Sequence, residues 1–344
     1  MSAIMKLSGN IFKIILIIST LLVVYFFVFD VRYTCTLFEN KLGCYSGNLE
    51  TRLDWFGVDN SRDYLKRLYD EGFLNQGQCH SLGHKVGQNA AVSGTGMMEA
   101  MEEKGSFCGW AFFHGVMEGL FGEGAGHSKI SVEEVHKICR ETNFENIIEK
   151  FNCFHALGHG FYALDSNIDN SFVRCELAED NSKKGFCYDG VFMAMTFPKE
   201  GPQSKIKEIE PLALCGDVDG NRKSYCYWRL VPIEVFVEEL KLPSSEYILE
   251  ISEKIPDNYR LIFWNGFGRE LDSRFASDSR TINSACNWGG GEYKLSCIIG
   301  AAMHMIYYDK GKTGRAEELC RSVPDRETSE ACADSIKTKK YPGF

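Results

Sequence analysis

Apolar segments recur along this chain, and each follows a cysteine. They run Phe154–Leu164, Tyr188–Phe197, Tyr227–Leu240 and Ile298–Tyr308, after Cys153, Cys187, Cys226 and Cys297. An earlier cysteine precedes each of these by 10 to 13 intervening residues. The first cysteines of successive pairs are Cys139, Cys175, Cys215, Cys286 and Cys320, at steps of 36, 40, 71 and 34. A period of roughly 34–40 residues is that of repeated helical hairpins. The step of 71 is two periods. It places a unit without cysteines over Ser245–Asp272.

Each unit is predicted to be a helix A ending near the first cysteine, a polar connection, and a buried helix B beginning at the second. Ser131 and Glu134 form a capping-box pattern that opens one helix A. Breakers fall in the connections: Lys183-Lys184-Gly185, Asp219-Gly220 and Gly289-Gly290-Gly291. The aromatic and β-branched residues of helix B raise a β-rich alternative. Stretches such as Gly300-Ala301-Ala302-Met303 read as helix. The expected fold is therefore mainly α: disulfide-stapled helical-hairpin repeats, either α-solenoid-like or a compact α/α array. Period and stapling resemble those of disulfide-stapled repeat proteins of the tetratricopeptide kind. The aromatic and alanine pattern diagnostic of those repeats is absent.

The N-terminus breaks this pattern. Residues 11–29 are mainly apolar, with Lys13 the one charged residue, and a spanning helix needs roughly 17–25 such residues. The run exits through bulky Tyr25, Phe26, Phe27 and Phe29, unlike the small-residue exit of a cleaved signal. Lys6 and Lys13 place the N-terminus inside. The expected organisation is a cytoplasmic N-terminus over 1–10 and a transmembrane signal anchor over 11–29. A juxtamembrane segment with Cys35 and Cys44 follows over 30–60, then histidine-rich repeats over 61–170 and cysteine-paired repeats over 171–344. The C-terminal domain is expected to be extracytoplasmic.

The cysteine count agrees. Fourteen cysteines suggest seven disulfides in an oxidising compartment. Local pairing joins Cys35/Cys44, Cys139/Cys153, Cys175/Cys187, Cys215/Cys226, Cys286/Cys297 and Cys320/Cys332, leaving Cys79 with Cys108. No Cys-x-x-Cys occurs, which argues against a zinc ribbon. Net charge is −9 without a basic tract, so a nucleic-acid partner is not expected.

Candidate chemistry concentrates in three places. Five of the eight histidines lie at His80/His84, His114 and His155/His159, each group beside a cysteine, and Glu118 follows His114 by four. Residues four apart share a helix face. The expected metal ligands are His80, His84, His114, His155 and His159, with Glu118 as a ligand, a bridge or the general base. Zinc, iron and copper all suit imidazole. Counted from the cysteine, His114 and His159 are both at plus six, whereas His84 is at plus five. Later units carry Met193, Pro232 and Met303 there, so the feature is local to the first half.

Of the other histidines, His127 reads as an exposed loop residue, His136 as structural and His304 as core. Arg269 and Glu270 beside two glycines can clamp a carboxylate or phosphate, although a surface ion pair is the simpler reading. Phosphate loops, nucleophile elbows and His-Glu-x-x-His are absent from the sequence. Two functions are compatible with the pattern. One is a membrane-anchored metalloenzyme, redox or hydrolytic, acting on a small molecule or peptide. The other is a non-catalytic scaffold that binds a protein or peptide partner. Convergence of the histidines in one pocket separates them.

Overall fold

All 14 cysteines are paired, in the seven local disulfides expected, with Cα–Cα separations of 5.4 to 5.6 Å. The computed structural model describes residues 17–19, 34–102, 108–122, 131–144, 147–196, 210–236, 241–275, 278–309 and 311–338. These residues are helical, and no strand occurs among them. The expected anchor over 11–29 lies outside the described residues apart from the short helical stretch 17–19. Among the described residues no helix is long and apolar enough to cross a membrane.

The chain divides into two compact units, Met1–Leu74 and Asn75–Phe344. In the first, a 3-10 helix at Cys35–Leu37 is stapled to the start of α1 (Lys41–Asp70). Asn40 caps α1 by accepting from the Gly43 N–H at 2.8 Å. Gly57, at φ 76°, breaks α1 into two segments. Arg52 lies 4.0 Å over the Tyr64 ring.

The second unit alternates short outer helices with longer inner ones. In chain order they are α2 (Gln76–Val92), α3 (Met97–Glu102), α4 (Ala111–Phe121), α5 (Val132–Glu141), α6 (Ile147–Asp165), α7 (Ile168–Cys175) and α8 (Asn181–Thr196). There follow α9 (Pro211–Asp217), α10 (Asn221–Val235), α11 (Ser245–Lys254), α12 (Asp257–Phe275), α13 (Ser279–Cys286), α14 (Gly291–Tyr308), α15 (Gly314–Arg321) and α16 (Arg326–Thr338). The inner, even-numbered helices carry the fully buried aromatics, such as Phe113, Phe154, Phe192, Phe263 and Phe267. The capping box at Ser131 and Glu134 opens α5, and a second at Asn75 and Gln78 opens α2.

Helix B does not begin at the second cysteine. Cys153, Cys187, Cys226 and Cys297 lie one to two turns inside α6, α8, α10 and α14. Lys183, Lys184 and Gly185, expected in a connection, belong to the first turns of α8. Asp180 caps that start, accepting from the Lys183 N–H at 2.9 Å. Gly185 is needed there because a Cβ would run into the Tyr225 ring. Gly220 and Gly290, with φ of 59° and 65°, do sit at helix starts where left-handed backbone suits glycine.

In the unit without cysteines, hydrogen bonds clamp the corner between α11 and α12. The Trp264 indole N–H donates to Ser252 Oγ at 3.0 Å. Arg260 Nε donates to the Ser252 and Ile255 carbonyls, each at 3.0 Å, closing the end of α11.

Neighbouring inner helices pair by glycine-to-carbonyl approach. A Cβ on Gly115 of α4 would fall on the His84 carbonyl of α2, and one on Gly87 would lie 2.7 Å from Val116 N. The same reciprocal contact joins Gly158 of α6 with Gly190 of α8, and Gly268 of α12 with Gly300 of α14. Inner helices pack in sequence from α2 to α14, and α12 returns against α2. Tyr307 of α14 bonds Asn152 of α6, and Tyr308 covers Gly109 just before α4. The arrangement is thus a compact α/α array closed on itself, rather than an open solenoid.

Candidate metal centre

The paired glycines fix which residues are equivalent. His84 of α2, His155 of α6 and Asn265 of α12 each stand three residues before the glycine of the contact, and each offers its carbonyl to the partner glycine. The residue one turn further is Gln88, His159 and Arg269 in the three helices. On the partner helices, His114 of α4 matches Asp189 of α8, one residue before Gly115 and Gly190. Cysteine counting equates His114 with His159, whereas the helix contacts match His114 with Asp189 and His84 with His155.

Closing the array brings all five histidines and Glu118 together, each buried. Ring centroids of His114 lie 4.8 to 5.5 Å from those of His80, His84, His155 and His159. Within each helical pair the Nε2 atoms face each other, at 3.0 Å for His80 and His84 and 3.1 Å for His155 and His159.

The other ring nitrogens point outward to acceptors. His80 Nδ1–H donates to the Cys108 carbonyl at 2.7 Å. His155 Nδ1–H donates to Asp189 Oδ2 at 2.8 Å. His84 and His159 Nδ1–H both donate to Glu118 Oε1, at 3.0 and 2.7 Å. Gln88 completes the carboxylate by donating to Glu118 Oε2 at 2.7 Å. The protonated nitrogen is assigned here from the acceptor it meets. Cys108, Gly109 and Trp110 are consecutive left-handed residues with φ of 49°, 66° and 66°. This strained turn presents the Cys108 carbonyl to His80.

Four Nδ1–H groups thus committed leave four Nε2 lone pairs, facing each other in two pairs. Two lone pairs at 3.0 Å repel unless a proton or a metal ion lies between them. Protons on His80, His155 and His159 are disfavoured. Burial pushes His80, His114 and His155 below the ordinary histidine value, His80 and His114 well below it. His159 is held at about 3, again chiefly by burial. Glu118 goes the opposite way. Burial would raise it, but its contacts with His84 and His159 hold it well below the carboxylate range.

A metal ion fits. Donors at 3.0–3.1 Å suit neighbouring ligands of one ion at the usual metal–imidazole length of about 2.0–2.1 Å. His114 belongs to two three-histidine sets, one with His80 and His84 and one with His155 and His159. Neither of its ring nitrogens has a hydrogen-bond partner among the described residues. A third grouping, His84, Glu118 and His159, uses atoms already joined by hydrogen bonds. In the geometry present Glu118 orients two ligands from behind, and His114 stands between the two sets.

No protein-family model, curated protein or solved structure matches this chain.

A cavity of about 300 Å³ adjoins the cluster, lined among others by His80, His114, His155, Asp189, Arg229 and Arg269. Sequence reasoning missed Asp189, Arg229 and Gln88. The signal for Asp189 was present, since Asp189-Gly190 repeats the place of His114-Gly115. Asp189 links His155 to Arg229, which grips its other carboxylate edge. Burial would raise the Asp189 carboxyl, but the charges of Arg229 and His155 hold it far below its usual value. Arg269 and Glu270, read as a surface pair, are buried, because α12 is an inner helix. His304 bonds Asp272 at 2.8 Å and lines the same cavity. His136 Nε2 bonds the Arg174 carbonyl at 3.0 Å, a structural role. His127 lies outside the described residues.

Proposed function

We propose that this protein is a membrane-anchored, extracytoplasmic metalloenzyme whose metal ions are held by His80, His84, His114, His155 and His159. The observation that carries this is the pair of facing Nε2 contacts, each with both Nδ1 atoms tied to acceptors. Two overlapping three-histidine sets support two ions with His114 shared. An all-imidazole donor set favours zinc, copper or iron over magnesium or calcium. Three protein ligands per ion leave open positions, and the adjoining cavity gives a small substrate access to them. The ion supplies Lewis acidity or, for copper or iron, redox chemistry.

The chain's own residues set up that chemistry. Glu118 and Asp189 fix the tautomers of three ligands and raise their basicity. Convergence of the five histidines, rather than their dispersal into separate apolar layers, favours this reading over a scaffold for a protein or peptide partner. Two features support the location: seven disulfides, and Leu37, Phe38, Trp55 and Phe56 exposed in the unit that follows the apolar run, as suits a membrane–water interface.

The test is metal content of the full-length chain, made in an oxidising compartment and purified without chelating resin. One or two equivalents of zinc, copper or iron are expected, with a large loss in His114→Ala. A folded wild-type protein that takes up none of these ions on reconstitution sinks the proposal.

A further inference from the structure

The cavity beside the histidines holds a cation that metal binding does not use. Arg269 is 3% exposed and lines the cavity. Its Nη2 donates to Glu270 Oε1 at 2.8 Å and to the Arg229 carbonyl at 3.4 Å. Nη1 stands 3.9 Å from Asp189 Oδ1, close enough for attraction but too far for a hydrogen bond. Nε and Nη1 have no hydrogen-bond acceptor among the described residues. Buried guanidinium N–H groups without acceptors are costly and rare.

Arg229, one helix away, differs: Asp189 accepts from both its Nε and its Nη2. In this network three guanidiniums, of Arg229, Arg269 and Arg274, face two carboxylates, of Asp189 and Glu270. Trp228 stacks on the Arg269 guanidinium at 4.4 Å, and its indole N–H is fixed to Asn265 Oδ1 at 2.8 Å. The head group is therefore held in place before any ligand arrives. Burial and the neighbouring Arg229 lower its pKa to about 10, which still leaves it charged at neutral pH.

We infer that Arg269 receives the carboxylate of a small amphipathic organic acid, which the cavity presents to the histidine cluster. Phe151, Phe186, Tyr307 and Tyr308 line the cavity and suit an apolar body. His80, His114 and His155 lie on the same cavity. The carboxylate site stands by itself; its role as a substrate site rests on the metal-centre reading.

The test is calorimetric titration of the full-length protein, both chelator-stripped and metal-loaded, with acetate, benzoate and phenylacetate, each against its amide. At least one carboxylate should bind about tenfold or more tightly than its amide, as a buried charge-assisted contact requires. The preference should persist without metal and vanish in Arg269→Gln of unchanged circular dichroism. If no carboxylate outbinds its amide in the wild-type protein, the inference falls without recourse to any variant. A preference that survives Arg269→Gln overturns it as well. Metal uptake without carboxylate preference defeats this inference alone, whereas carboxylate preference without metal uptake defeats only the metal centre.

Discussion

The helix pairs α2/α4 and α12/α14 use one scaffold for two chemistries. In both, glycines let the backbones touch, and the residue three before the glycine points its carbonyl at the partner helix. In the first pair that residue is His84, in the second Asn265; α6, with His155, belongs with the first. One turn on, His159 of α6 gives way to Arg269 of α12. The histidine half therefore gathers neutral donors whose lone pairs await a cation. The arginine half gathers fixed charges, with Arg269 Nε and Nη1 meeting no acceptor among the described residues. Asp189 of α8 joins the halves, since it holds His155 on one side and Arg229 on the other. The hairpin geometry thus fixes where side chains converge, and residue type alone decides what they bind.

Acidification should separate the halves most strongly. In metal-free protein His80, His114, His155 and His159 all have folded pKa values below the unfolded value near 6.5. Their contribution is fully present above that pH. It is lost as pH falls, because the unfolded chain takes up protons that the folded one refuses. Each group contributes a slope of up to about 1.4 kcal/mol per pH unit. Urea titrations of stripped protein between pH 7 and 5 should show a loss of several kcal/mol. A flat profile would mean the histidines are not buried together.

Severing the link is the next largest effect. Asp189→Ala leaves Arg229 buried without its carboxylate and should cost about 3–5 kcal/mol. It should also weaken metal binding, since His155 loses the acceptor that fixes its tautomer. Loss of stability with unchanged metal affinity would show that the halves are independent. Glu118→Gln stays within the histidine half. It retains the shape and one oxygen for His84 and His159, but removes the charge and turns an NH2 towards Gln88, so metal affinity should fall about 10–100-fold. An unchanged affinity would exclude Glu118 from orienting the ligands.

The sequence made some of this legible and hid the rest for physical reasons. Disulfides such as Cys175–Cys187 were readable because a corner between consecutive helices is local. The pairs His80/His84 and His155/His159 were readable because helix periodicity is local too. Register was not. Counting from cysteines aligned His114 with His159 rather than with Asp189, because the glycine contacts that set register join segments about 30 residues apart. Asp189 and Arg229 drew no reading and Arg269 read as a surface charge, since only closure of the array buries them. The start of α8 was hidden because Lys183, Lys184 and Gly185 read as breakers, whereas Asp180 caps the helix ahead of them.

The smallest effect sharpens the comparison within the arginine half itself. Its corner at α11/α12 is held by hydrogen bonds, while the next, between α13 and α14, is stapled by Cys286–Cys297. Ser252→Ala removes the acceptor of a fully buried Trp264 indole and leaves the Arg260 contacts to carbonyls intact. The expected cost is about 1 kcal/mol, the lower part of the range for a buried donor left unpaired. Replacing both Cys286 and Cys297 by alanine should cost about 2–4 kcal/mol, because it also frees the unfolded chain. Chemical denaturation of both variants decides the matter. If Ser252→Ala costs as much as losing the disulfide, the tryptophan bond is an equal substitute for the staple. If it costs nothing, Arg260 alone holds that corner, and the missing cysteines are replaced by helix capping rather than by a bond across the turn.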